Sequence, residues 1–229
     1  MEQNNNVVTE EVKRLTMGER IKYFFTNPNK LFEEYNIKPT WLLKLLIIMA
    51  ASIIYTIILK NITIDPSIDM MLQQTPDMSK EQVDVAVAFM KSPAALALYI
   101  GGALLSTAIA VFLTPLIYLG LISLFGGKTK YMKVVAVYTL AYIPSYIGAF
   151  IALTFAYFTN NYDSLLQPTL TDVLFNRLDL FVIWQVLLLT FGFAKIANIK
   201  VQKSAIIVAI MWIIATGVSL IPVFMNRMF

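Results

Sequence analysis

The chain has no cysteine and no histidine. Without cysteine there is no disulfide framework and no thiol nucleophile. Without histidine there is no imidazole base, and Cys/His zinc sites are excluded with it. Charge is scarce too: 14% of the 229 residues are Asp, Glu, Lys or Arg, where a soluble domain carries about a quarter. Apolar residues make up 58%, and the mean hydropathy is +0.69. Most of this apolar surface must face lipid or other membrane helices. The length suits one membrane domain with a short appendage.

What charge there is falls in blocks. Ser92 to Gly127, Val134 to Tyr162, Leu180 to Ala194 and Ser204 to Asn226 carry none, and Leu45 to Leu59 is another uncharged stretch. A hydrocarbon core about 30 Å thick needs roughly 20 mostly apolar helical residues. Each stretch, with its flanks, can cross it. The expectation is an all-α polytopic helix bundle of about five spans.

The connections alternate in sign. Lys13, Arg14, Arg20, Lys22, Lys30 and Lys38 precede the first span, with Lys44 at its edge. Asp65, Asp69, Asp77, Glu81 and Asp84 follow it against Lys80. Lys128, Lys130 and Lys133 come next, then Asp163, Asp172 and Asp179 against Arg177, then Lys195, Lys200 and Lys203. Positive loops stay in the cytoplasm, so the N-terminus is expected inside, and the C-terminus outside with 226–229 emerging. Residues 1–40 then form a cytoplasmic segment and 41–229 the membrane domain, in a bacterial cytoplasmic membrane. No apolar run precedes Trp41, so no cleavable signal peptide is expected. Topology accounts for the net charge of +4. No basic stripe with interleaved aromatics suggests nucleic acid.

Residues 1–12 read as disordered, being polar and Asn-rich. From Gly18 to Phe25 basic residues alternate with aromatics. Asn27-Pro28 opens a short helix, Asn27 as cap and Pro28 at the first helical position, in which Glu33 and Glu34 can pair with Lys30 and Lys38. Leu31, Phe32 and Tyr35 share one face. This amphipathic element either lies on the membrane surface or packs on the ends of the spans.

In the first outer connection, Asp65-Pro66 is expected to open a short helix through Leu72. Ser79-Lys80-Glu81-Gln82 is a capping box starting a second helix with Val83, Val87 and Met90 at helical spacing. Met70, Met71, Met78 and Met90 form either an adaptable partner surface or packing for the span ends. Ser92 and Pro93 begin the second span, which Gly101–Gly102 and Pro115 bend. A re-entrant segment is the alternative. Thr171-Asp172 starts a brief helix with Val173, Leu174 and Phe175.

No Asp, Glu, Lys or Arg lies deep in a span, so a proton relay, an ion-coupled transporter and an aspartyl or zinc intramembrane protease all lack their groups. No catalytic residue, metal ligand or cofactor is expected. Gly126-Gly127-Lys128-Thr129 lacks the context of a phosphate loop. Gly101, Gly102, Gly120, Gly148, Gly192 and Gly217 permit close helix approach. Tyr138, Tyr142 and Tyr146 share one face of the third span and, with Pro144 and Trp184, line either a groove or a helix seam.

With the spans placed, the chain resembles the bacterial branch of the YIP family, the Ypt/Rab-interacting-type polytopic membrane proteins. The resemblance rests on Phe24-Phe-Thr-Asn-Pro-Asn-Lys-Leu-Phe32 ahead of the first span, on Gly126-Gly127 followed by a span containing Pro144, and on Asp179-Leu-Phe-Val-Ile-Trp184 with Gly192. It implies a five-span fold and no enzymatic chemistry. Some bacterial members accompany ABC exporters in defence against toxic peptides and are thought to help them assemble. The expected function is therefore a non-enzymatic protein that binds another membrane complex, with Met70, Met71, Val83, Val87, Phe24 and Phe32 as candidate partner contacts. Its partners are the lipid bilayer and a membrane protein such as an ABC exporter, and a homo-oligomer is open. The competing reading is a small channel or transporter for an uncharged or lipid-like solute.

Overall fold

The computed structural model describes residues 15–225. The expected disorder of 1–12 and the emergence of 226–229 lie outside them. Among the described residues there are ten helices and no strand. Five cross a membrane by length and composition: α3 (Leu42–Gln74), α5 (Pro93–Leu124), α6 (Tyr131–Thr159), α9 (Leu180–Ala197) and α10 (Val201–Met225). The shorter ones are α1 (Met17–Thr26), α2 (Pro28–Ile37), α4 (Lys80–Lys91), α7 (Asp163–Leu166) and α8 (Leu170–Arg177).

Local chemistry sets several boundaries. Ser79 accepts from the Gln82 N–H while the Gln82 side chain accepts from the Ser79 N–H, which closes the capping box of α4. Ser92 caps α5 with Pro93 in its first turn. Thr16 with Glu19, and Thr169 with Asp172, form two more boxes at α1 and α8. Asn160 and Asn198 end α6 and α9 at φ 50° and 53°, a left-handed conformation that asparagine tolerates.

Asp65-Pro66 opens no separate helix. The first span runs unbroken for 33 residues with Pro66 inside it. Proline removes one ladder bond, and α3 continues through it. Lys91 Nζ reaches Asp65 Oδ1 at 3.1 Å, and Lys60 Nζ donates to the Ser92 carbonyl at 3.4 Å. At 1.5 Å per residue α3 is about 50 Å long, so it outruns the bilayer by about 20 Å. α5 is a single helix of 32 residues, not a re-entrant pair. The α3 end, α4 and the start of α5 pack together as an appendage at the end of the bundle away from the hairpin.

α6 is the centre of the bundle. Every residue from Val134 to Ala141 is buried. α9 packs along one side of it and α3 and α5 along the other, while α10 bridges α9 and α5. The α6–α9 seam is tightest at Gly192, where an added Cβ would meet Val137 Cγ1 at 2.4 Å. Gly148 likewise faces Phe181 at 3.0 Å. Gly101, Gly102, Gly120 and Gly217 face open space, so within this chain they serve no helix–helix approach.

α1 and α2 pack against the spans, one of the two placements left open by their sequence. Asn36 Nδ2 donates to the Lys195 carbonyl at 3.3 Å, Phe32 sits over Gly192, and Phe24 packs on Trp184 at 4.9 Å between ring centroids. These contacts spread over about 16 Å of α9. The hairpin therefore stands along the flank of α9 and does not lie flat. Its ion pairs differ from the local ones expected: Glu34 pairs with Arg20 and Glu33 with Lys195. Across the same end, Lys133 Nζ donates to Asn36 Oδ1 and Lys203 Nζ to the Phe125 carbonyl. The lysine-rich loops and the N-terminal hairpin thus share one end of the bundle.

Candidate functional site

Two features stand out, one at each end. At the hairpin end, a half-open cavity of about 770 Å³ lies between α1, the start of α3 and α6. Ile47, Ile143 and Ile147 line its depth, and Lys38, Trp41 and Lys44 its mouth. Lys44 Nζ donates to Tyr35 Oη at 3.0 Å, to Thr40 Oγ1 at 3.2 Å and to the Thr40 carbonyl, and lies 4.5 Å from the centroid of the Tyr35 ring. Arg20 clamps Glu34 through Nε at 3.1 Å and Nη2 at 2.5 Å. That pairing raises the Arg20 pKa, its hydrogen bonds to Glu34 being the main cause. Burial, reinforced by the Glu34 charge, raises the Tyr35 pKa.

At the other end is the appendage. Met70 and Met71 are half-buried on α3, and Gln167 Nε2 contacts Met70 Sδ at 3.0 Å. Val83 and Val87 are half-buried on α4. The exposed apolar side chains here are others: Val85 at 66%, Phe89 at 52% and Leu72 at 39%. Phe24 and Phe32 are spent inside the chain, at 8% and 0% exposure. Helical spacing of Val83 and Val87 located the face of α4 turned towards α3 and α5. The outward pair Val85 and Phe89 has the same spacing.

A match to the Yip1 domain family covers residues 22–221, from within α1 to near the end of α10. The chain belongs to the Yip1 family. This Yip1 protein is also 28% identical over 187 residues to the membrane protein YknW of Bacillus subtilis (strain 168), covering 76% of the chain and 77% of YknW. No solved structure matches it. Family membership and the five apolar helices make it a multi-pass membrane protein.

Inside the Yip1 bundle the tyrosine row is packed. Tyr138 and Tyr142 stack at 5.5 Å, Tyr142 meets Tyr146 edge-on at 5.6 Å, and Tyr118 lies between Tyr138 at 6.2 Å and Phe193 at 4.7 Å. Pro144 is buried on the same helix, while Trp184 leaves this row for Phe24 and Phe25. Polar groups continue it: Thr107 donates to Ser52 Oγ at 3.2 Å and lies 3.4 Å from Tyr146 Oη, and Ser145 donates to Gln185 Oε1 at 2.7 Å. Such bonds hold membrane helices together.

Sequence reasoning missed Arg177. It lies outside every span, yet its guanidinium enters the bundle and donates to the Ala215 carbonyl at 3.0 Å and to Ser219 Oγ on α10. Burial lowers its pKa. Only the fold could show this, because the partners lie 38 and 42 residues away.

Proposed function

We propose that this Yip1 protein is a non-enzymatic membrane protein that docks onto another membrane complex and helps it assemble, the complex being an ABC-type exporter for toxic peptides. One observation carries the reading. α3 and α5 overrun the bilayer, and the α4 they support turns Val85 and Phe89 to solvent four residues apart. An exposed apolar pair on a rigid helix is a docking surface for a partner helix or groove. Met70, Met71, Val83 and Val87 brace it from within. The lysine-rich end lies in the cytoplasm, which puts the appendage outside, where it meets the outer parts of an exporter.

The test is co-purification of the tagged chain from its native membrane, read by mass spectrometry. Exporter subunits are expected with the wild type. Val85→Ser with Phe89→Ser should lose them while the bundle keeps its melting temperature. Recovery of the same subunits by the double variant, or of none by the wild type, refutes the proposal.

A further inference from the structure

We propose that the groove between α1, α3 and α6 is a binding site for an anionic phospholipid of the surrounding leaflet. It takes one acyl chain in its apolar depth and the phosphate at its mouth.

The groove has the two chemistries of such a lipid in the right order. Trp41 and the first turn of α3 mark the mouth, and Lys38 and Lys44 flank them. No side chain caps α3, so its first N–H groups have no side-chain acceptor, and a helix N-terminus favours anions. Charge there is unbalanced: Arg20 and Lys38 stand against the single carboxylate of Glu34, which Arg20 already holds, so Lys38 is the exposed cation beside the mouth. Tyr35 and Thr40 take up the hydrogens of the Lys44 amine beside it, so the phosphate falls to Lys38. Beyond it the lining turns wholly apolar. Ile143 and Ile147 stand one helical turn apart on α6, opposite Phe24 and Phe25 of α1. The volume of about 770 Å³ is in the range of small-molecule sites. The half-open side admits a lipid from the bilayer without crossing the bundle. A zwitterionic lipid would fill the depth equally well, so preference between headgroups isolates the mouth.

Trp41 supplies the reporter. With Trp184→Phe and Trp212→Phe it is the sole tryptophan, and lipids brominated on the acyl chain quench it on contact. The protein is reconstituted in phosphatidylcholine vesicles containing the same minor fraction of brominated phosphatidylglycerol or of brominated phosphatidylcholine. Stronger quenching by the anionic lipid is expected. Lys38→Gln, an exposed change that the fold tolerates, should weaken that preference about fivefold, the typical effect of one basic residue beside an anionic membrane. Lys203→Gln, at the same end but away from the groove, should leave it unchanged. Equal quenching by both lipids overturns the proposal, as does an equal loss in the two lysine variants. Native mass spectrometry of the protein with all its tryptophans gives an independent reading: retained anionic lipid should fall in Lys38→Gln and persist in Lys203→Gln.

Discussion

Replacing Gly192 by alanine adds one methyl group where α6, α9 and α2 meet. That carbon would lie 2.4 Å from Val137 Cγ1 and 3.1 Å from Cε1 and Cζ of Phe32. Ordinary carbon contacts lie at about 3.5–4.0 Å, so the shortfall against Val137 is about 1 Å or more. Neither neighbour can retreat. Both are 0% exposed, and a valine in a helix strongly prefers one rotamer. The helices must part instead. Overpacking of this kind costs about 1–3 kcal/mol, which corresponds to a fall of roughly 2–12 °C in melting temperature for a chain of this size. Thermal unfolding in detergent, followed by size-exclusion recovery, measures it. Adding Val137→Ala to Gly192→Ala should restore part of the loss, because it removes the clashing methyl, so the double variant should beat the sum of the singles by about 1 kcal/mol. Gly101→Ala is the control, since nothing lies within 4 Å of its added carbon. It should be neutral or gain up to about 1 kcal/mol from helix propensity. The reasoning fails if Gly192→Ala melts like the wild type, or if Gly101→Ala is as damaging.

Glu34→Gln should loosen the N-terminal hairpin at a cost of about 1–3 kcal/mol, below the usual price of breaking a buried pair because the Arg20 side chain is 34% exposed. Glu33→Gln, whose partner Lys195 is itself 41% exposed, should cost less than about 1 kcal/mol. Protease access between α2 and α3 compares the two, and equal sensitivity would refute the ranking. Hydrogen bonds from the Thr169 side chain and N–H hold the Asp172 pKa below its ordinary 3.8. The stability this gives α8 is complete above that ordinary value and is lost as pH falls through the lower folded one. Thr169→Ala should cost α8 about 0.5–2 kcal/mol and move Asp172 part of the way back to ordinary titration, the Thr169 N–H bond remaining. Hydrogen exchange of α8 and an NMR titration of Asp172 test both, and an unmoved titration would refute the capping role.

Hydropathy and charge made the five spans legible because the bilayer imposes a length and a neutrality that sequence cannot disguise. The caps at Ser79 and Ser92 were legible for a related reason: each depends on residues within one turn. Long-range pairing was not. Glu34 has lysines at helical spacing on its own element, yet its partner is Arg20 on the neighbouring helix. Pro66 reads as a helix start, but α3 runs through it, and its neighbours there come from residues near position 91. Nor does a glycine reveal which way it faces: Gly192 is wedged and Gly101 is free. In the candidate site, the sequence located α4 but not its exposed side, because Val83 with Val87 and Val85 with Phe89 are equally helical in spacing. The groove was invisible, since its walls come from three separate parts of the chain.

The lodging of α2 against α9 sets an order on biogenesis. Asn36 waits for a partner 159 residues further on, about 8–30 s of translation at roughly 5–20 residues per second. Through that interval Leu31, Phe32 and Tyr35 have lost water's tolerance and not yet found their berth. A ribosome stalled before Leu180 leaves them bare for chaperones and proteases. Closure of the hairpin thus follows the fourth span and precedes the fifth, α10.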